Sequence, residues 1–266
     1  MSRGFLWFAQ NNDNTDYVEL SIKLAKSIKH YNRNKCNSVC VVTDDKSKFT
    51  SDYVDMVKVL RHDDSVDHEI KWANEYKAFQ LSPFTHTIKL EADMLFTQNT
   101  EWWWYYLWQN DLVFSVDCRD YRDNIVEDKT YRQLFIKNKL PNIYNGLMYF
   151  RKSKKAQKFF ETAEHIVKNW QEVKSKMLIA CHDKYPSTDV VFALAYRLMD
   201  PTMQHLIDYE CFKFIHHKPA IHNLQKVGDH NKYLYANRTG DALYLGETRV
   251  SRLWHYHDKE LNVRNS

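Results

Sequence analysis

Glycine, proline and cysteine occur only five times each in 266 residues, and each scarcity excludes something. No Gly/Ser/Pro-rich linker, internal repeat or low-complexity tract interrupts the chain, so nothing marks a boundary between independent domains. The cysteines (Cys36, Cys40, Cys118, Cys181 and Cys211) are odd in number, scattered and without a CxxC pair. That pattern speaks against a disulfide framework or a structural zinc site and for free, buried thiols. Long apolar runs are missing as well. "VVFALAY", from Val190 to Tyr196, is too short to cross a bilayer, and the apolar run behind Arg3 ends at Ala9, too early for a secretory segment. These absences predict a soluble protein with no membrane span, working in a cytoplasm. Charge of one sign is not in large excess either: a formal +4 permits an anionic partner without demanding one.

What is present is apolar mass. With 44% hydrophobic and 15% aromatic residues, the chain can bury a large core, as one α/β domain over residues 1–266 or as two closely joined halves. "GFLWFAQ" reads as a strand that stops at the polar cluster "NNDNTD", after which Tyr17, Leu20, Ile22, Leu24, Ala25 and Ile28 recur at helical spacing. "SVCVVTDD" and "DMVKVLRH" are further strand candidates, and "NEYKAFQLSPF" reads as a helix ended by Pro83. "DLVFSVDC" and "NIYNGLMYFRKS" predict two more strands. One long helix from the Ser153 cap to Met177 follows, then a helix capped by Ser187 or Thr188. The C-terminal region reads as irregular and rich in histidine, tyrosine and lysine. Strands alternating with helices imply a mostly parallel, doubly wound sheet that binds ligands at the carboxyl ends of its strands.

"TIKLEADMLF" (residues 87–96) is anomalous within that scheme, because Glu91 and Asp93 interrupt an apolar run in which unpaired charge is costly. On a strand, residues two apart share a face, so the two carboxylates would sit together at a strand terminus, where a hard divalent cation neutralises both. Acid-x-acid also occurs at Asp67 and Glu69, and a solvated strand end is the bland alternative. The apolar flanks favour the metal.

The order of a "KAFQLSPF" helix, a "LEAD" strand end, "YNGLMYF", "STDVVFALA" and a C-terminal "WHYHDK" resembles glycosyltransferases of the GT-A fold, especially the galactosyltransferase and glycogenin-like group, over most of the chain. The resemblance implies a GT-A-like mixed sheet flanked by helices. It also implies a manganese or magnesium ion bound by a DxD motif, a nucleotide-sugar donor such as a UDP-sugar, and often a C-terminal histidine as third ligand. Asp93 matches the second acid of that motif. Glu91 stands where the family has Asp, which leaves open whether it binds the metal directly or through water. His255 and His257 are the candidate histidines, of which His255 best matches the family's "HY", and Lys259 is a candidate phosphate contact. The resemblance places Ala9, Gln10 and Asn11 of "FAQNN" around the nucleoside and Lys77 near the sugar or diphosphate. It sets Asn145 of "YNGLMYF" at the sugar pocket. Asp189 would orient sugar or acceptor, act as general base in an inverting enzyme, or merely stabilise a helix dipole. Residues 1–118 then form the donor and metal half and residues 119–266 the acceptor half.

Two stretches remain. "EWWWYYLW" (residues 101–108) contains aromatics able to stack bases or meet a membrane surface, but consecutive rings on a helix more often pack a core, the favoured expectation. Arg119, Arg122, Lys129, Arg132, Lys137 and Lys139, with Tyr121 and Tyr131 interleaved, and the cationic stretch "KFIHHKPAIHNLQKVGDHNKYLYANR" can flank an anionic acceptor. The Asn/Lys/Tyr-rich, glycine-poor chain also resembles phage-encoded proteins. The leading acceptor expectation is therefore DNA bearing hydroxymethylated pyrimidines, with a flipped base offering its hydroxyl in the host cytoplasm. Lipopolysaccharide, glycan or protein hydroxyls are alternatives, as is a non-catalytic sugar-nucleotide or nucleic-acid binding module.

Overall fold

The computed structural model describes residues 2–33, 37–65, 70–126, 132–217, 236–256 and 264–265. β1 (Arg3–Phe8) leads through α1 (Tyr17–Tyr31) to β2 (Val39–Thr43) and β3 (Met56–Val59). A 3-10 segment (Lys71–Lys77) runs into α2 (Ala78–Leu81), followed by β4 (His86–Leu90), β5 (Met94–Leu95), α3 (Trp103–Leu107) and β6 (Leu112–Val116). Next come α4 (Gln133–Asn138), β7 (Ile143–Arg151), α5 (Lys154–Lys168), α6 (Trp170–Met177) and α7 (Thr188–Met199). The order closes with β8 (Phe214–His217), β9 (Ala236–Thr239), β10 (Ala242–Leu245), β11 (Thr248–Arg249), β12 (Leu253–Tyr256) and β13 (Arg264–Asn265).

The main sheet has the order β3-β2-β1-β4-β7-β6. Its first four strands pair in parallel, while β7 runs antiparallel to both β4 and β6. The sheet is thus mixed, as expected. Alternation divides β1 between two cores: Phe5 and Trp7 face the side covered by Leu20, Leu24 and Ile28 of α1, and Leu6 faces the side covered by α5 and α7. With both faces covered, β2 and β4 are buried along their whole length, which is why β2 runs apolar instead of alternating and why the polar residues of β4, His86, Thr87 and Lys89, are buried too. Trp7 is further fixed by an indole N–H bond to the Ser21 hydroxyl on α1, 2.8 Å long.

Capping sets where the helices begin. The Asp16 carboxylate accepts from the amides of Val18 and Glu19, Ser153 caps α5, and Ser187 caps α7. Three expectations need correction. The long helix expected through Met177 breaks at Asn169, whose non-helical backbone (φ −116°) ends α5 and starts α6. The helix expected over residues 74–84 is a 3-10 segment followed by a single α-turn. The tail expected to be irregular supplies short strands: β8 and β12 pair in parallel, and β12 pairs antiparallel with β5.

Candidate active site

"TIKLEADMLF" is not one strand. β4 ends at Leu90, residues 91–93 turn, and β5 leaves the main sheet to join β12 and β8. Glu91 and Asp93 therefore stand in a tight turn at the carboxyl end of a central parallel strand, rather than on one strand face. The turn still brings them together, and the β5–β12 register sets His255 opposite Met94, beside both acids. His255 Nε2 lies 3.1 Å from Asp93 Oδ2 and 3.2 Å from Glu91 Oε2. One potential ligand atom from each of the three residues falls within 4.8 Å of the others. Two carboxylate oxygens and one imidazole nitrogen, with Asp93 and His255 buried, form a donor set suited to Mn²⁺ or Mg²⁺, so the residues fit the ion that the resemblance implies.

His216, paired with His255 across β8 and β12, holds that ring from behind, Nδ1 to Nδ1 at 2.8 Å. For His255 Nε2 to offer a lone pair, its Nδ1 must carry the proton and donate to His216, one of the two directions in which this contact can run.

The three residues lie in a cleft of about 430 Å³ at the carboxyl end of the sheet, lined also by Gln10, Tyr17, Glu75, Asn145 and Asp189. A charged network underlies it. Fully buried Lys89 sits 2.6 Å from Glu75 Oε2 and donates to the Asn145 carbonyl at 3.3 Å. The Asn145 amide group donates to Glu75 and, at 3.3 Å, to Glu91. Its backbone N–H donates to Asp189 Oδ1 at 2.6 Å, and the other Asp189 oxygen meets Arg132 at 2.6 Å. Arg132 is itself clamped between the rings of Phe135 and Tyr144, with centroids 3.6 and 4.0 Å away. Among the described residues the buried Oδ1 of Asn145 has no hydrogen-bond partner. Burial pushes the Tyr17 hydroxyl above its ordinary range, and the charges of Glu91 and Glu75 push it the same way, so it faces the cleft as a proton donor.

The structure thus brings Glu91, Asp93, His255, Asn145, Asp189 and Gln10 together around one cleft. It places others elsewhere. Ala9 is buried in the core beneath the cleft, its amide donating to the Val42 carbonyl. The Asn11 side chain is spent on the start of α1, accepting from the Val18 amide and donating to Asp16. Lys77 points away from the cleft to Asp64 at 2.9 Å and Asn74 at 3.0 Å, whereas Lys71 lines the cleft. His257 and Lys259 lie outside the described residues.

"EWWWYYLW" meets the expectation of core packing in part: Trp103 and Trp104 are buried, but Trp102, Tyr105, Tyr106 and Trp108 are exposed. The cationic stretches are also less available than their composition implied. Arg119 pairs with Glu210, Arg132 with Asp189 and Lys213 with Asp208, while Lys129, Tyr131 and residues 218–235 lie outside the described residues. Glu75, Lys89, Tyr17 and His216 were not anticipated. Lys89 carried a signal, since a lysine inside "TIKLEAD" is as anomalous as the acids that follow it.

No protein-family model matches the sequence, and no curated protein matches it. Solved structures do. The galactosyltransferase LgtC in complex with donor and acceptor sugar analogs superposes with a TM-score of 0.58 at 11% identity, covering 96% of this chain and 87% of that one. A structure of an active-site mutant of LgtC gives 0.55 at 12% identity over the same shares. The chain has the α/β fold of GT-A glycosyltransferases, a central mixed sheet flanked by helices.

Proposed function

We propose that this protein is a metal-dependent glycosyltransferase that moves a sugar from a nucleotide-sugar, a UDP-sugar by resemblance, to a hydroxyl acceptor. The observation that carries this is the convergence of Glu91, Asp93 and His255 on one point of a cleft at the carboxyl ends of parallel strands. A Mn²⁺ or Mg²⁺ ion bound there supplies Lewis-acid stabilisation of the departing diphosphate. The chain's own residues do the rest. Asn145 turns its unpaired Oδ1 to a donor-sugar hydroxyl, and Asp189, with both oxygens already engaged, fixes the Asn145 backbone rather than taking a proton. Gln10 contributes to the nucleoside end, with Ala9 and Asn11 as the backbone and cap that hold it. Lys71 replaces Lys77 as the cation nearest the donor phosphates. In this proposal residues 1–118 supply the donor half and residues 119–266 the acceptor half, from which His255 reaches back, in one cytoplasmic enzyme.

Mn²⁺-dependent hydrolysis of a panel of UDP-sugars tests the activity. It is expected in the wild type and absent in Asp93→Ala and His255→Ala; no donor binding with or without Mn²⁺ would overturn the proposal. The acceptor proposed first is a hydroxymethylated pyrimidine in DNA. Duplexes with and without hydroxymethylcytosine, compared for binding and sugar incorporation across salt, test it, and no binding even at low salt discards it in favour of a glycan or protein hydroxyl.

A further inference from the structure

Tyr105 and Trp108 are 75% and 56% exposed, the most exposed aromatic rings among the described residues. Three positions apart on α3 and its C-cap, they share a side of the helix, and with buried Trp104 they wall a groove of about 860 Å³. Arg3, Ser38, His86 and Glu101 contribute to the same groove, at the amino ends of the strands. The six-residue β1 separates it from the cleft above, so the two sites lie about 20 Å apart on opposite ends of the sheet.

The core does not need these rings, because Trp103 and Trp104 already anchor the segment. Adjacent exposed aromatics around a concavity of ligand size mark a binding surface. Its polar partners indicate the ligand. Among its described lining residues the formal charges of Arg3 and Glu101 sum to zero, Arg151 nearby is paired with Asp111, and burial together with the Arg151 and Arg3 charges lowers the His86 pKa, which disfavours a charged ring. A polyanion or an anionic lipid surface requires an excess of cations, which the described lining residues do not supply, and a second copy of the chain requires a broad face of about 800 Å² rather than a concavity. A pyranose matches what is there: its C–H face covers an aromatic ring while its hydroxyls reach the surrounding donors and acceptors. We propose that this groove is a second binding site that takes a neutral oligosaccharide, stacked on Tyr105 and Trp108. The proposal does not depend on the activity assigned to the cleft.

Binding of maltohexaose, cellohexaose and chitohexaose, followed by tryptophan fluorescence and titration calorimetry, tests it. At least one should bind, and Tyr105→Ala and Trp108→Ala should each weaken it about tenfold or more. Trp108→Phe should retain most of the affinity and Asp93→Ala all of it, with thermal midpoints unchanged in the groove variants. The proposal is overturned if none of the three binds, if both alanine variants bind as the wild type does, or if Asp93→Ala abolishes binding. It is also overturned if the groove variants instead lose affinity for anionic vesicles or oligo-dT, or lose self-association by sedimentation.

Discussion

His255 Nε2 and Asp93 Oδ2 stand 3.1 Å apart although 162 residues separate them in sequence. Backbone pairing enforces the approach: the Tyr256 amide donates to the Asp93 carbonyl at 3.1 Å, and β12 runs antiparallel to β5. Two carboxylates beside one imidazole at a largely buried site repel one another unless a proton or a cation lies between them, and a divalent cation satisfies all three at once.

Manganese affinity should follow from that arrangement. Titration calorimetry with MnCl₂ should show one site in the wild type, lost in Asp93→Asn and His255→Ala. Glu91→Gln, which keeps one oxygen at the same reach, should bind more weakly without abolishing the site. His216→Phe should cost about 10–100-fold in affinity through loss of the hydrogen bond that holds the His255 ring from behind. Unchanged affinity in His255→Ala would remove the histidine from the ligand set.

Much of this site could be read from the sequence, and the failures have physical reasons. The strands were legible because apolar runs bounded by polar clusters mark buried parallel strands, and Glu91 and Asp93 stood out because charge in such a run is expensive. His255 emerged through resemblance alone, since no local pattern announces a pairing that a distant strand supplies. Lys77 was misplaced for a related reason. Lys71, at the start of the Lys71–Lys77 3-10 segment, lines the cleft, whereas Lys77 at its far end is held by Asp64 and Asn74, partners that no local pattern announces. His216 was absorbed into a cationic stretch, and only the β8–β12 pairing reveals it as the neighbour of His255.

The buried Lys89–Glu75 pair should prove structurally decisive. Lys89→Met leaves Glu75 charged and unpaired beneath the cleft and should destabilise the fold by about 3–5 kcal/mol, measured by urea denaturation. Adding Glu75→Gln should recover much of that loss, because no uncompensated charge then remains. Equal instability of the single and double variants would mean that Lys89 acts by packing rather than by pairing.

Gly146 tests the cleft by steric means. A Cβ there would lie 2.9 Å from the Met94 methyl and 3.1 Å from Glu91 Oε2, both mobile ends of side chains that can give way. Gly146→Ala should therefore fold, with a thermal midpoint within a few degrees of the wild type, yet bind manganese more weakly because the Glu91 carboxylate must shift to make room. A variant with full metal affinity would show that Glu91 contributes little to the site.

Acid should lower the stability of the whole fold through Asp63, at the Gln10 end of the cleft. Its Oδ2 accepts from Gln10 and Lys71, both at 3.1 Å, and its Oδ1 accepts from Asn74 at 2.6 Å and from the Ser65 amide and hydroxyl at 2.9 and 2.6 Å. Burial acts to raise its pKa, but the hydrogen bonds from Ser65, Asn74 and Lys71 outweigh it and hold the carboxyl well below the usual carboxylate range. In the window between that lowered value and the ordinary value of about 3.9, the unfolded chain binds the proton and the native one does not. The stabilisation is therefore complete above about pH 4 and drains away as pH falls through the folded-state value. Thermal midpoints followed from pH 6 to pH 2 should fall more steeply below pH 4 in the wild type than in Asp63→Asn, which should be the less stable of the two near neutrality. Parallel curves would show that Asp63 carries no proton linkage and that the contacts of Gln10 and Asn74 are held by other means.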